Sequence, residues 1–317
     1  KQIITIRSLL ILFSLIFIFQ SHNFEQGVTT SAINGTVLDS DWNALPGANI
    51  IAVHAPSGTQ YGATTRPDGR FSIMGMRVGG PYTVTVSFVG YRSQAQENIY
   101  LALGVTSDLQ FVLSDESIEI GEITVTAQRD AIFSSERTGA ATSISSENIR
   151  NLPTISRRIG DFTRLTPQAG RSNTFSGQDN RLNNITIDGS YFNNSFGLAG
   201  QPGDRTNVAP ISIDAIEEVQ VNIAPYDVRQ GNFVGAGVNT VTRSGNNEYS
   251  GSVYYLFRNE SHVGMRAKEL SFDPGVFKYD NIGVRLSGPI VKNKLFFFAN
   301  FEKENLVQPG TTFLANT

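Results

Sequence analysis

The chain has 317 residues, 17% of them charged, with a formal net charge of −3 and a sequence pI of about 5.7. This charge composition gives no sign of the clustered basic surface that nucleic-acid binding requires, so we expect no nucleic-acid partner. Cysteine is absent, which excludes disulfides, a thiol nucleophile and a cysteine-ligated metal. The length fits about two domains, and the abundant glycine predicts many turns and short strands.

The first residues resemble an export signal. In "KQIITIRSLLILFSLIFIFQ", Lys1 and Arg7 precede an apolar run at 9–19. That run is about half of the ~20 residues that a transmembrane helix needs. We therefore predict a signal peptide over residues 1–26, with a short membrane anchor or a buried helix as the alternative.

Residues 32–114 predict a small antiparallel β-sandwich. Short alternating or apolar runs such as "INGTVLD", "GRFSIMGM" and "PYTVTVSFVGY" are separated by turn clusters such as "SDWNALPG" and "RPDGR". Strands at this spacing, bounded by Gly, Pro, Asp and Asn, are typical of a sandwich.

A polar linker over residues 115–134 follows, and it contains the strand-forming stretch "GEITVTAQR". Its β-branched residues favour extended backbone. No matching strand is evident on either side, so this segment is predicted to have no partner strand in its own chain.

Residues 135–245 mix helix and strand. "TISRRIGDFTRLTP" predicts a helix capped by Thr154, with Ile155, Ile159, Phe162 and Leu165 at helical spacing. "NNITIDG", "IEEVQVNIAP" and "GAGVNTVTRSG" predict strands. Two long polar loops, 171–184 and 190–210, lie between them, and loops of this length are often functional.

Residues 248–317 predict about three long strands with alternating character. Ile282, Val284 and Leu286 fall on one face of "NIGVRLSGPI", and Phe297, Ala299 and Phe301 share a face of "LFFFANFEKEN". This pattern fits the wall of a transmembrane β-barrel, and an ordinary antiparallel sheet is the alternative. A single-chain bacterial barrel has at least ~8 strands, so this wall is incomplete.

No catalytic constellation is found, and we expect neither an enzyme nor a bound metal or cofactor. The chain has three histidines, His22, His54 and His262, and neither His54 nor His262 begins a zinc-binding His-x-x-Glu pattern. No phosphate-binding loop or nucleophile elbow is present. Glu217 and Glu218 should point to opposite faces of a strand, and at least one of them is expected at a solvated edge.

Three groups of motifs carry a family resemblance. "INGTVLDSDWNALPGANIIAV" with "TTRPDGRFSI" resembles the carboxypeptidase-regulatory-like domain, a transthyretin-like sandwich. "ITIDG", "IEEVQV" and "GAGVNTVTRSG", in that order, resemble the plug domain of TonB-dependent receptors. "NIGVRLSGPIVKNKLFFFANFEKE" resembles the first barrel hairpin of the Oar-like branch of that superfamily.

The resemblance implies the fold and the partners. The fold is mainly β: a transthyretin-like sandwich, an α+β plug and the first strands of a plugged barrel of the 22-stranded class. The protein would lie in the cell outer membrane with the sandwich on the periplasmic side. It would bind an extracellular solute and import it with energy delivered through the periplasmic partner TonB.

In this family the linker carries the TonB box, a short segment that TonB grips. The matching residues here are Glu122, Ile123, Thr124, Val125, Thr126 and Ala127. An extended segment with free edges can join the sheet of another protein by β-augmentation. The alternative is an edge strand of a neighbouring domain of the same chain.

The loop "SYFNNSFG" supplies the candidate substrate-binding residues, because it mixes aromatic and amide side chains suited to stacking and hydrogen bonding. These residues are Tyr191, Phe192, Asn193, Asn194 and Phe196. The alternative is that the aromatic side chains pack against the barrel wall.

Two other functions stay open at this point. A SusC-like glycan importer usually carries a "PLYVVDG"-like plug stretch, where this chain has "NNITIDG". A surface adhesion or matrix protein would use the sandwich as an interaction module, and it would have no need of a plug or a TonB box.

Overall fold

The computed structural model describes residues 28–115, 124–126, 139–152, 154, 157–170, 173–194, 209–225, 230–267, 270–271, 273 and 275–307. The predicted signal peptide therefore lies outside the described residues. The fold is mainly β, as predicted. Within the described residues, no helix is both long enough and apolar enough to span a membrane.

The sandwich is built from seven strands and receives one more from the linker. These strands are β1 (Ser31–Asp39), β2 (Asn49–His54), β3 (Thr59–Thr64), β4 (Arg70–Met76), β5 (Gly79–Ser87), β6 (Gln94–Leu101), β7 (Thr106–Leu113) and β8 (Thr124–Thr126). One sheet has the order β4-β1-β7 and the other β3-β2-β5-β6-β8. Side chains from both sheets, including Ile33, Ile50, Tyr82 and Phe111, fill the core between them.

The prediction of a purely antiparallel sandwich is wrong at one pair. Strands β1 and β7 run parallel, with Gly35 opposite Leu109. The chain leaves β1, builds the rest of the sandwich and returns to the free edge of β1 in the same direction. Parallel pairing needs such a long crossover, which a strand pattern alone does not reveal.

A second unit contains the predicted plug strands. Its elements are β9 (Gly139–Ser145), α1 (Ser146–Asn151), α2 (Ile159–Thr163), β10 (Asn184–Ile187), β11 (Ser190–Tyr191), β12 (Ile216–Pro225) and β13 (Gly237–Thr242). The sheet order is β11-β10-β13-β12-β9. One face packs on the helices, with Phe162, Ile216 and Val219 fully buried between them.

The predicted helix is shorter than expected and begins later. It starts at Ile159, and its N-cap is Arg158 rather than Thr154. Arg157 has a φ of 50°, a left-handed conformation that no helix interior accommodates. The predicted helical spacing is correct for Ile159 and Phe162, but Leu165 lies beyond the end of the helix and is 48% exposed. The start of the helix was missed because of the left-handed backbone at Arg157. Helix α1 was not predicted.

The motif "IDG" is a tight hairpin between β10 and β11. Asp188 and Gly189 both have positive φ, 48° and 82°, as a two-residue turn of this type requires. The Asp188 carboxylate accepts hydrogen bonds from the amide and the hydroxyl of Thr242, at 2.8 and 2.7 Å. The motif therefore fastens the β10–β11 hairpin to the end of β13.

The last unit is a wall of three antiparallel strands, β14 (Ser250–Asn259), β17 (Lys278–Val291) and β18 (Leu295–Val307), with a small hairpin of β15 (Arg266–Ala267) and β16 (Leu270–Ser271) before β17. The predicted alternation of its faces is confirmed. Val253, Ile282 and Phe301 are on the exposed apolar face, whereas Asn281 and Ser287 are buried on the face toward the plug.

Candidate functional site

The two ends of the plug sheet have different surroundings. Strands β10 and β13 run parallel and start together, with Asn184 opposite Gly237. Beyond the other end of β13, the carbonyl oxygens of Ser244 and Gly245 accept hydrogen bonds from Arg77 of the sandwich, both at 3.4 Å. The sandwich is thus at one end of β13, and the other end is available for a different contact.

At the starting end of β10 and β13 lies an open cavity of about 510 Å³. Its walls come from three segments, 180–185, 193–194 and 232–234. The side-chain oxygen of Asn183 accepts a hydrogen bond from the Ala236 amide at 3.0 Å, which ties the first and third segments together. A cavity of this size is typical of sites for small ligands.

The structure brings only part of the predicted substrate-binding set to this cavity. Asn193 and Asn194 line it, but Tyr191 and Phe192 are not among the lining residues, although they are 42% and 37% exposed. Phe196 lies outside the described residues. Asn193 also holds the site together, because its side-chain oxygen accepts a hydrogen bond from the Ile185 amide at 2.7 Å.

Sequence reasoning missed the other eight lining residues, five of them between Asn180 and Ile185 and three at Asn232, Phe233 and Val234. Three of them come from a distant segment that only the parallel pairing of β10 with β13 brings to the site. Arg181 bonds Asp179 through Nε and Nη2, both at 3.0 Å, and these hydrogen bonds lower the pKa of the Asp179 carboxyl. Because this charge is already paired, the cavity presents mainly amide groups and suits a polar ligand.

The TonB-box candidate is partly described. Thr124, Val125 and Thr126 form β8, which pairs in parallel with β6 at the edge of the larger sandwich sheet. The prediction that this segment has no partner in its own chain is therefore wrong for these residues. This part of the linker pairs with the edge of β6, and nothing in the local sequence of the linker indicates this pairing. Glu122, Ile123 and Ala127 lie outside the described residues.

Two arginines of the plug contact the barrel wall. Arg157 bonds Asp214 at 3.2 Å, and its guanidinium carbon lies 4.4 Å from the ring centroid of Tyr254 on β14. Arg158 Nη2 lies 3.7 Å from Glu304 Oε1 on β18. The left-handed backbone at Arg157 is therefore located where the plug turns toward the wall.

Neither Glu217 nor Glu218 is at a sheet edge, which corrects the expectation of a solvated edge. Both are on β12, which is hydrogen-bonded on its two sides to β13 and β9. Glu218 is 4% exposed, and its Oε1 accepts a hydrogen bond from the Leu103 amide of the sandwich at 3.0 Å. The register of β12 shifts between Ile216 and Glu218, and Glu217 Oε2 lies 3.9 Å from Arg243 Nε.

A smaller cavity of about 130 Å³ lies where the three units meet. The sandwich contributes His54 and Arg77, the plug Glu217 and Arg243, and the wall Arg285. His54 is buried, and its Nδ1 bonds Ser57 Oγ at 2.7 Å. Burial, together with the nearby positive charge of Arg77, lowers the pKa of His54 from 6.5 to about 4.

This lowered pKa predicts acid sensitivity of the sandwich. The unfolded chain binds a proton at His54 at a higher pH than the folded chain does, so the stabilising contribution is complete above pH 6.5. We expect it to fall progressively as the pH drops from 6.5 to about 4. Urea unfolding across this pH range measures it. In the His54→Gln variant this part of the pH dependence should disappear, and an unchanged slope would contradict the assignment.

Comparison with known families identifies two domains. Residues 32–114 match the carboxypeptidase regulatory-like domain, and residues 241–317 match an outer membrane beta barrel domain. The chain thus combines a match to a carboxypeptidase regulatory-like domain with a match to an outer membrane beta barrel domain.

Curated relatives specify the class further. The chain is 26% identical to the TonB-dependent transporter Oar of Myxococcus xanthus, over 86% of this chain and 26% of the relative. It is also 26% identical to the TonB-dependent receptor P39 of Formosa agariphila, over 65% of this chain and 19% of that protein. These matches identify the chain as a relative of the TonB-dependent outer-membrane receptors.

The chain spans about a quarter of the first of these relatives and less of the second. Both are named as a transporter or a receptor, which confirms the prediction that the chain is not an enzyme. Among solved structures, the siderophore receptor PirA of Acinetobacter baumannii is similar at 21% identity, with 52% of this chain and 24% of that chain covered and a TM-score of 0.40.

Proposed function

We propose that the chain is part of a TonB-dependent outer-membrane transporter that binds an extracellular solute and imports it with energy delivered by TonB. One observation carries the proposal: the ligand-sized cavity and the sandwich with β8 are at opposite ends of the plug sheet. A transporter that binds on one side of a membrane and is pulled from the other needs this separation.

The connections of the wall support an orientation. The turn between β17 and β18, at 292–294, is short and lies at the sandwich end, where the Asn293 amide donates to Asn247 Oδ1 at 2.8 Å. The connection between β14 and β17, at 260–277, is long. Outer-membrane barrels have short periplasmic turns and longer extracellular loops. We therefore propose that the sandwich is periplasmic and the cavity extracellular.

The same proposal covers the division of the chain. A signal peptide at 1–26 would export it, the sandwich would occupy 32–114, and the linker at 115–134 would present the TonB box. The plug would occupy 135–245 and the start of the barrel 248–317. Mass spectrometry of the mature N-terminus tests the first of these boundaries.

The cavity predicts which aromatic residue contacts the solute. Phe233 lines the cavity, whereas Tyr191 does not, although it is only two residues from the lining residue Asn193. We expect Phe233→Ala to weaken solute binding about fivefold, because loss of one stacking contact costs roughly 1 kcal/mol. Calorimetric titration with neutral oligosaccharides, peptides and ferric siderophores as probes measures this effect.

Tyr191→Ala is the matched control for that experiment, since it removes an aromatic side chain outside the cavity. Its affinity should stay within about twofold of the parent protein, a change below ~0.5 kcal/mol. Weakened binding in Tyr191→Ala with normal binding in Phe233→Ala would place the solute on the loop rather than in the cavity.

The TonB contact rests on the position of β8. It is the last strand in the order β3-β2-β5-β6-β8, so one edge faces β6 and, among the described residues, its other edge has no strand beside it. A strand of another protein that adds to this edge would extend the sandwich sheet by β-augmentation.

A further inference from the structure

The turn between β6 and β7 is docked directly on strand β12 of the plug sheet, where Glu218 is opposite Val241 near the end of β13. Besides the bond from the Leu103 amide to Glu218, the Leu103 carbonyl oxygen accepts a hydrogen bond from the Gln220 side-chain amide. Leu103, Glu218 and Gln220 are all almost completely buried. One residue of the sandwich thus uses both of its backbone polar groups to bind two side chains of one plug strand.

Burial of Glu218 makes this docked position specific. A buried carboxylate is costly unless hydrogen bonds satisfy it. The donors to its Oε1 include the Ser143 hydroxyl on β9 and the Leu103 amide from the sandwich. Displacement of the sandwich removes one of these donors from a buried carboxylate, which is costly unless water or a proton replaces it.

Apolar packing and backbone shape complete the contact. Val28, Val78 and Leu103 form a buried cluster that packs against Val241 of β13. Gly104 has a φ of 66°, and a Cβ atom added there would lie 3.0 Å from Gln220 Oε1 and 3.1 Å from Val28 Cγ1. The turn therefore fits the plug closely only with glycine at this position.

The sandwich makes a second contact near the short turn between β17 and β18. The Asn247 amide donates to the Pro56 carbonyl oxygen at 2.9 Å. A Cβ atom added at Gly58 would lie 3.0 Å from Asn293 Cγ. The sandwich is thus held both by the plug and by the first turn of the barrel wall.

From these contacts we propose that the sandwich is a force-transmitting base of the plug, with the Leu103 turn as its latch on Glu218 and Gln220. Strand β8 pairs with β6, and β6 ends at Leu101, just before the Leu103 turn. A pulling force on β8 would be transmitted first to β6, then to the latch and then to β12. This route rests on the proposed TonB contact with β8, whereas the docking itself does not.

Disulfide trapping tests the docking. The chain has no cysteine, so the pair Gly58→Cys and Asn293→Cys can form only one intramolecular disulfide. We expect oxidation of the membrane-inserted protein to give the disulfide in most molecules, read as a mobility shift that a reductant reverses. Absence of that disulfide would overturn the docked arrangement.

The latch is tested in the protein that carries the Gly58→Cys and Asn293→Cys pair. Gly104→Val puts a side chain into the contact with Gln220, and we expect at least a fivefold slower formation of the disulfide. Gly75→Val is the matched control, because Gly75 has a similar φ of 69° and nothing within 4 Å of an added Cβ. Equal trapping rates in the two variants would show that the Leu103 turn does not hold the sandwich.

Single-molecule force measurements test this route, with the pulling force applied to β8 through the periplasmic part of TonB. With the cysteine pair reduced, we expect the plug to be extracted. With the pair oxidised, the force should pass to the wall and the plug should stay in place. Extraction in both states would overturn the force route. Failure of TonB to hold β8 would instead refute the proposed TonB contact, and the trapping result would be unaffected.

Discussion

Replacement of Val125 by proline is expected to abolish cross-linking between TonB and this chain, with at least a tenfold loss of cross-linked product. Proline has no amide hydrogen, so the β8 backbone loses a donor that either β6 or an added strand requires. With only three residues in β8, loss of one donor removes a large part of its pairing capacity. A single cysteine at Ala127, paired with one in TonB, gives the measurement.

Val125→Thr is the control, because threonine keeps the amide and favours extended backbone. It should cross-link as the parent protein does. Thermal unfolding of the sandwich should be the same in both variants, since β8 is an edge strand of three residues. Normal cross-linking of Val125→Pro would refute the assignment of residues 122–127 as the TonB box.

Gly35→Ala is expected to destabilise the sandwich by roughly 3 kcal/mol, the upper part of the usual cost of overpacking. A Cβ atom at this position would collide with the Leu109 carbonyl oxygen and would lie 2.6 Å from the Phe71 ring. The carbonyl belongs to the paired strand β7 and cannot move without disruption of the parallel ladder. Denaturant unfolding measures the loss.

Gly62→Ala provides the comparison for that variant. Gly62 is in β3, and the nearest atom to an added Cβ is the Ile50 carbonyl oxygen at 3.7 Å, an ordinary contact. Its stability should change by less than about 1 kcal/mol. Similar stability of the two variants would mean that the approach of β1 to β7 is looser than the structure shows.

Local patterns predicted the parts of the fold in which a single strand carries its own signal. The alternation at Ile282, Val284 and Leu286 predicted both faces of the wall, because the pleat alone decides which side a residue takes. "ITIDG" and "IEEVQV" predicted strands correctly, since their β-branched and apolar residues are contiguous.

Patterns failed wherever the outcome depends on a partner that is distant in sequence. The parallel β1–β7 pair, the return of Thr124–Thr126 to β6 and the arrival of Asn232 beside Asn193 are all such cases. Glu218 is the clearest one. A carboxylate on a strand predicts a solvated position, and only the folded chain shows the buried amide of Leu103 that replaces water.

The docked sandwich also bears on passive permeability. In the proposed transporter, a solute that moves from the cavity toward the Thr242 end of β13 would reach the sandwich, which is hydrogen-bonded to Ser244 and Asn247. In the proposed transporter the outer membrane would then be sealed twice at this pore, by the plug and by the domain beneath it. Import would require both seals to open together, and the latch would couple their opening to a single pull.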